Sequence, residues 1–286
     1  MRPSERAAKA TRPPPQEARG AVANSARVFR YDSGAVGPVV SCEIAEEIPV
    51  EIAFDGAPFA VMMATPLDLE DFAIGFALTE GAVRSLDDIR HVEIDLKSRQ
   101  ARIDITLTPE AMRAHFARKR ALSGRTGCGV CGVEDLQHLP SAPRVRPSAP
   151  IPPAAIGAAV AALPAAQTLN ERTRAAHAAA WAGRDGAVRI LREDVGRHNA
   201  LDKLIGAVLR EGADASDGFV LITSRCSFEM VVKTAIFGAR TLVAVSAPTT
   251  LALETARATG VELIAIARAD HALAFDFHHA ESGSAT

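Results

Sequence analysis

Apolar and polar side chains alternate over three short stretches, at Ile48, Val50, Ile52 and Phe54, at Val92, Ile94 and Leu96, and at Ile103, Ile105 and Leu107. Period two marks strands, and the polar partners predict half-exposed strands in antiparallel pairing. Between them the period becomes helical. Thr65 and Pro66 read as cap and first residue, Leu69, Phe72, Ala73 and Phe76 supply one apolar face, and Gly81 closes the helix. A second helix starts at Pro109 and ends in the basic run Arg118, Lys119, Arg120. Further on, WAGRDGAVRILRE reads as a hairpin turning at Asp185 and Gly186, followed by an amphipathic helix with its stripe at Leu201, Leu204, Ile205, Val208 and Leu209. GFVLITS, TLVAVSA and VELIAIA are near-continuous apolar runs with helices beginning near Ser227 and Thr249 between them. That is βαβαβ and a buried, mainly parallel sheet.

Proline divides the chain. Six of its 17 prolines fall between Pro140 and Pro153, where neither helix nor central strand can form. Residues 1–25 show no apolar period and are left outside the fold as a tail. The expected organisation is a small α+β domain over 26–122, a cysteine loop and Pro-rich linker over 123–153, an α/β domain over 154–277 and a flexible tail over 278–286.

Composition narrows the function. The 286 residues are 48% hydrophobic and 23% charged, enough for a real core. Lysine plus arginine number 32 against 34 aspartate plus glutamate, so no charge excess points to nucleic acid or an anionic membrane. No apolar run is long enough to span a bilayer and the N-terminal stretch has no secretory core, which makes the cytoplasm the default address. Four cysteines are too few for a disulfide scaffold and suit a reducing compartment.

Ligands of open parallel sheets collect beyond the carboxyl ends of the strands. The segments TSRCS (223–227), SAPTT (246–250) and ARADH (267–271) should therefore line one rim, with Arg225, Ser246, Arg268 and His271 on it. Two of these loops also open helices, whose free N–H groups attract phosphate, although Ser227 and Thr249 acting merely as caps would explain them too. No GxGxxG follows a strand and no GxxxxGK[ST] occurs, so dinucleotide-dehydrogenase and P-loop chemistry are unsupported.

The segment RTGCGVCGVEDL sets Cys128 and Cys131 among three glycines. A nucleophilic thiolate, a dithiol redox pair and half a zinc site all use this spacing. Arg118, Lys119, Arg120 and Arg125 lie just upstream, and cationic neighbours stabilise the attacking thiolate. A zinc site would need further ligands, since Cys42 and Cys226 stand alone in the sequence. Zinc deaminase chemistry is unsupported, because His177 is followed by two alanines rather than by the H-x-E pattern and the one CxxC lies upstream of it.

Taken together, GRTGCGVCGVE, HAAAW, EDVGRHNALDKLIG, SFEMVVKTA and AVSAPTTLALE resemble, in order, the landmark segments of the formate dehydrogenase accessory sulfurtransferases (FdhD). The likeness runs from about Glu46 to Phe275. It implies a sulfur carrier that takes sulfur as a persulfide from a cysteine desulfurase and delivers it to the molybdenum bis(guanine dinucleotide) pterin cofactor, with formate dehydrogenase as recipient. Carried over by position, Cys128 would hold the persulfide, Cys131 would assist, and Ile266, Ala267, Arg268, Ala269, Asp270 and His271 would form the cofactor-binding stretch. The resemblance further implies a cytidine-deaminase-like three-layer α/β fold used without zinc and, by family analogy alone, a homodimer. A cofactor chaperone that only binds, or a zinc-knuckle interaction protein, are the competing readings.

Other residues carry two readings each. Asp194, Arg197, His198, Asn199, Asp202 and Lys203 could grip a pterin or guanine, or could provide a cap and a solvated ion-pair face. His177 reads as a satisfied core histidine beside the rim, Trp181 as packing and Cys226 as inert core.

Overall fold

The computed structural model describes residues 20–121 and 142–275. The chain opens with an antiparallel ribbon, β1 (Ala21–Phe29) and β2 (Val36–Ala45). Thus β1 starts inside the stretch left out of the fold on composition. Most of the ribbon is exposed, including Val22, Val39, Val40 and Ile44, while Glu43 at its base forms a bidentate pair with Arg172.

A four-stranded sheet follows, in the order β4-β3-β6-β5, from β3 (Ile48–Phe54), β4 (Ala57–Ala64), β5 (Ile89–Leu96) and β6 (Ala101–Leu107). β3 and β4 join through Asp55 and Gly56, both at positive φ, the conformation of a tight hairpin turn. The outer pairings are antiparallel as expected, but β3 and β6 pair in parallel in the middle. β3 is accordingly more deeply buried than simple alternation suggests.

Helix α1 (Leu69–Thr79) packs on this sheet. It begins at Leu69 rather than Pro66, after Asp68 in a left-handed conformation. Thr65 is not its cap: its N–H donates to Asp194 Oδ2 (3.0 Å) and its hydroxyl accepts from the Val195 N–H (3.2 Å). A buried carboxylate more than a hundred residues away outcompetes the local helix end for those groups. Helix α2 (Pro109–Ala121) starts where expected.

The six-stranded sheet has the order β12-β11-β10-β9-β7-β8. β7 (His177–Gly183) and β8 (Val188–Asp194) are the expected hairpin, with Gly186 at φ 84. Central strands β9 (Gly218–Ile222), β10 (Thr241–Ala244) and β11 (Glu262–Ala265) are parallel, joined by α6 (Phe228–Phe237) and α7 (Thr250–Thr259). The sheet as a whole is mixed rather than mainly parallel. β7 pairs antiparallel with β8 and β9, because a tight turn returns the chain beside itself, and β12 (Leu273–Phe275) folds back antiparallel on β11.

Helix α3 (Pro153–Ala166) covers one face of this sheet, with Ile156, Val160 and Leu163 meeting Phe219, Leu221 and Val243. The other face packs α5 (Arg197–Arg210), α6 and α7. This second face shares one continuous apolar core with α1 and the four-stranded sheet, in which Val50, Phe72, Leu204 and Val220 are all buried. At the junction α1 and α5 touch through glycine: a Cβ on Gly75 would lie 1.8 Å from the Asp202 carbonyl oxygen, and one on Gly206 would lie 1.9 Å from that of Asp71. Among the described residues no helix is long and apolar enough to cross a membrane.

Candidate ligand site at the strand ends

The three loops predicted to share a rim lie side by side. The Cys226 N–H donates to the Ala247 carbonyl (3.1 Å) and the Thr249 N–H to that of Cys226 (3.0 Å), a one-residue parallel bridge beyond the strands. The Ile266 N–H reaches the Ser246 carbonyl (3.1 Å), and Arg268 Nη1 donates to the carbonyls of Val245 (2.7 Å) and Ala267 (2.9 Å). Ile266 itself sits at φ 53, a conformation that a β-branched side chain rarely adopts, so the surrounding bonds must hold it there.

Two cavities open on either side of Arg268 and Ala269. One, of about 570 Å³, is lined by Gln167, Asn170, His177, Thr223 and Ala267, with Val160, Leu163 and Pro164 of α3 as its apolar wall. The other, of about 710 Å³, runs between α3 and β11, with Glu262, Asp270 and His271 on its edge. Of the residues singled out from sequence, Ala267, Arg268, Ala269, Asp270 and His271 therefore line a cavity. Arg225 is exposed, and neither it nor half-buried Ser246 lines either of these two. Cys128 and Cys131 lie outside the described residues.

His177 is not a satisfied core histidine. It opens β7 at the cavity wall, half-buried, and its ring meets no hydrogen-bond partner among the described residues. Burial, then the charge of Arg197, holds its pKa below the ordinary histidine range, with Asp194 opposing, so the ring is neutral at pH 7. Gln167 and Asn170 drew no attention in the sequence. They fall at the start of α4 (Thr168–Thr173), and only tertiary structure turns them toward the rim. Glu193 fixes this short helix by accepting from the N–H groups of Leu169 (2.7 Å) and Asn170 (2.8 Å).

The EDVGRHNALDK segment is not a solvated face. Asp194 and Lys203 are both fully buried, and Lys203 Nζ donates to Asp194 Oδ2 (2.6 Å) and the Thr65 carbonyl (2.8 Å). Asp194 Oδ1 accepts from the Gly196 N–H (2.7 Å) and from Asn199 Nδ2 (3.0 Å). A second buried cluster joins α1, α5 and α6: Lys233 Nζ contacts both Asp202 oxygens (2.9 Å each) and Thr79 Oγ1 (2.8 Å). Burial alone would pull the Lys233 pKa down, but Asp202 and Glu80 raise it, so the ammonium stays charged. These residues fasten the two sheets together.

At the N-termini of α5 and α6, Arg197 Nε, His198 Nε2 and Ser227 Oγ are buried without a hydrogen-bond partner among the described residues. His198 lies 3.9 Å from Glu229, and burial together with Arg197 lowers its pKa to about 4. Ser227 precedes α6 without capping it, whereas the Thr249 hydroxyl does cap α7 through the Ala252 N–H (3.2 Å). Cys226 is fully buried, and burial pushes its thiol up to about 12, as suits an inert core cysteine.

A three-layer α/β unit with cavities at its strand ends shares one core with a smaller sheet, and strand ends are where open α/β sheets as a class take their ligands. The sequence profile of the FdhD/NarQ family matches residues 45–281. The chain belongs to the FdhD/NarQ family. A sulfur carrier protein FdhD from Cupriavidus necator is 48% identical over 228 residues, covering 79% of each chain. One from Chromobacterium violaceum is 50% identical over 229 residues, 79% of this chain and 85% of its own. The crystal structure of a candidate formate dehydrogenase accessory protein from Desulfotalea psychrophila superposes with a TM-score of 0.68 at 25% identity, covering 91% of this chain and 98% of its own.

Proposed function

We propose that this protein is a cytoplasmic sulfur carrier that sulfurates the molybdenum bis(guanine dinucleotide) pterin cofactor for formate dehydrogenase. The reading rests on one observation above the rest: relatives described as sulfur carriers match four-fifths of the chain at close to half identity, and this chain carries the Cys128–Cys131 pair among glycines. The strand-end cavities supply room for a nucleotide-bearing ligand, with Arg268 between them as a partner for its phosphates.

In this scheme the Cys128 thiolate attacks the outer sulfur of a cysteine desulfurase persulfide, and the desulfurase leaves as its thiolate. Cys131 then attacks the inner sulfur of the Cys128 persulfide. The outer sulfur departs as hydrosulfide to the molybdenum centre, and the resulting Cys128–Cys131 disulfide is reset by a thiol reductant. Cys128 and Cys131 are the catalytic residues; Ala267 to His271 line the cavities that take the cofactor, and Ile266, Arg225 and Ser246 meet the parts of it that lie beyond them on the rim. A second copy of the chain, covering the exposed apolar ribbon of β1 and β2, is the proposed partner in a homodimer.

Intact-mass measurement after incubation with a cysteine desulfurase and cysteine tests the scheme. The wild-type chain gains the mass of one sulfur, and Cys128→Ala gains none. A Cys128→Ala variant that supports full formate dehydrogenase activity in cells lacking the native protein refutes sulfur transfer and leaves a binding chaperone.

A further inference from the structure

Helices α5 and α6 pack side by side on the face of the larger sheet away from α3, and three polar atoms are stranded where they begin. Arg197 Nε, His198 Nε2 and Ser227 Oγ are all fully buried, and none has a hydrogen-bond partner among the described residues. His198 links the two helix starts. Its Nε2 lies 3.9 Å from Glu229 in the first turn of α6, and Ser227 directly precedes that turn. Arg197 adjoins His198 in the chain, and its charge reaches both that ring and the ring of His177. None of Arg197, His198 and Ser227 lines either strand-end cavity. Buried polar atoms are ordinarily paired, so three together mark a missing occupant.

Charge says which kind. The Arg197 guanidinium forms no ion pair or hydrogen bond among the described residues. Neither helix start is capped by a side chain, so the open N–H groups and positive dipole ends of both add to its field. Of the carboxylates nearby, Asp194 is engaged by Lys203 and only Glu229 opposes. After burial, Arg197 has the larger influence on the His198 ring and outweighs Glu229. Water would meet the hydrogen bonds but leave the guanidinium without a counter-ion. An anion answers both needs.

We propose that the starts of α5 and α6 together bind a small inorganic oxyanion of the phosphate or sulfate class. The Arg197 Nε–H and the Ser227 hydroxyl donate to its oxygens, and neutral His198 donates from Nε2. Open N–H groups of the two first turns complete the set. This site is separate from the strand-end cavities and does not depend on the cofactor reading.

Titration calorimetry and thermal unfolding of the full chain test it, with sulfate and inorganic phosphate as probes and chloride at matched ionic strength as control. Wild-type protein gives a saturable heat and a midpoint that rises to a plateau, whereas sulfate acting only by exclusion from the surface gives no plateau. Arg197→Met lowers the affinity roughly tenfold or more, and Ser227→Ala lowers it roughly threefold. Without oxyanion both variants unfold at or above the wild-type midpoint, because each removes an orphaned group; a merely structural role would lower it. If Arg197→Met fails to fold, Ser227→Ala carries the comparison. A wild-type chain with no saturable binding, or variants that bind like wild type, overturns the proposal. GDP supplies the last arm. Sulfate that binds unchanged in the presence of GDP supports a separate site, and sulfate displaced by GDP makes the oxyanion a nucleotide phosphate and overturns it. A chain that binds sulfate but not GDP supports the oxyanion site and counts against the cofactor reading alone.

Discussion

The Lys203–Asp194 pair makes a sharp demand on stability. Both groups are fully buried, and Asp194 collects hydrogen bonds from Lys203 Nζ, the Thr65 and Gly196 N–H groups and Asn199 Nδ2. Lys203→Met keeps the stem and removes the ammonium. The carboxylate is left buried with three neutral donors, and the Thr65 carbonyl loses its partner. Breaking a buried pair from one side typically costs about 3–5 kcal/mol. The three remaining donors place this case near the low end, and the orphaned carbonyl adds about 1 kcal/mol, for a loss of about 4 kcal/mol in all. That is a large share of the roughly 5–15 kcal/mol of a typical fold. For a chain of this size it lowers the thermal midpoint by roughly 8–16 °C. Thermal and urea unfolding at pH 7 measure it. The double variant Asp194→Asn with Lys203→Met contains no stranded charge and recovers most of the loss. A single variant within about 1 kcal/mol of wild type, or a double variant worse than the single, refutes the reasoning.

Two further outcomes follow from the same interior. Gly75→Ala drives a methyl into the Asp202 carbonyl, backbone that cannot rotate aside, so the fold loses at least about 3 kcal/mol, more than ordinary overpacking; an unchanged urea midpoint would contradict the glycine contact. His198 has a folded pKa of about 4 against 6.5 for the ordinary group, so below pH 6.5 the unfolded chain binds the extra proton. Its stabilising contribution is complete above pH 6.5 and is lost as pH falls toward 4, on the order of 3 kcal/mol. Unfolding curves across that window for wild type and His198→Gln measure it, and equal slopes would exclude burial of a neutral ring.

Much of the larger sheet was legible because buried parallel strands read as unbroken apolar runs, and GFVLI, TLVA and ELIA are such runs. The stripe of α5 was equally plain, since Leu201, Leu204, Ile205 and Val208 keep helical spacing and are all buried. Misreadings came where distant groups override local ones. Thr65 looks like a helix cap until Asp194 claims it, and the parallel pairing of β3 with β6 depends on register across about fifty residues. The β3–β4 hairpin had a signal in Asp55–Gly56 that alternation alone passes over. At the site, Arg268 to His271 followed from strand-end logic. Gln167 and Asn170 did not, because an amide in a polar stretch gives no sign that it will line a cavity until α3 and the sheet close around it.

Backbone against backbone at Gly75 and Gly206, with ammonium–carboxylate locks on either side, makes the seam between the two sheets a weld. Swinging one half over the other would drag peptide groups across each other and uncover two ion pairs at once. Under the proposed function, cargo would have to be received without any jaw-like closing of the molecule, and substrate-dependent motion should be sought in the connections at the strand tips.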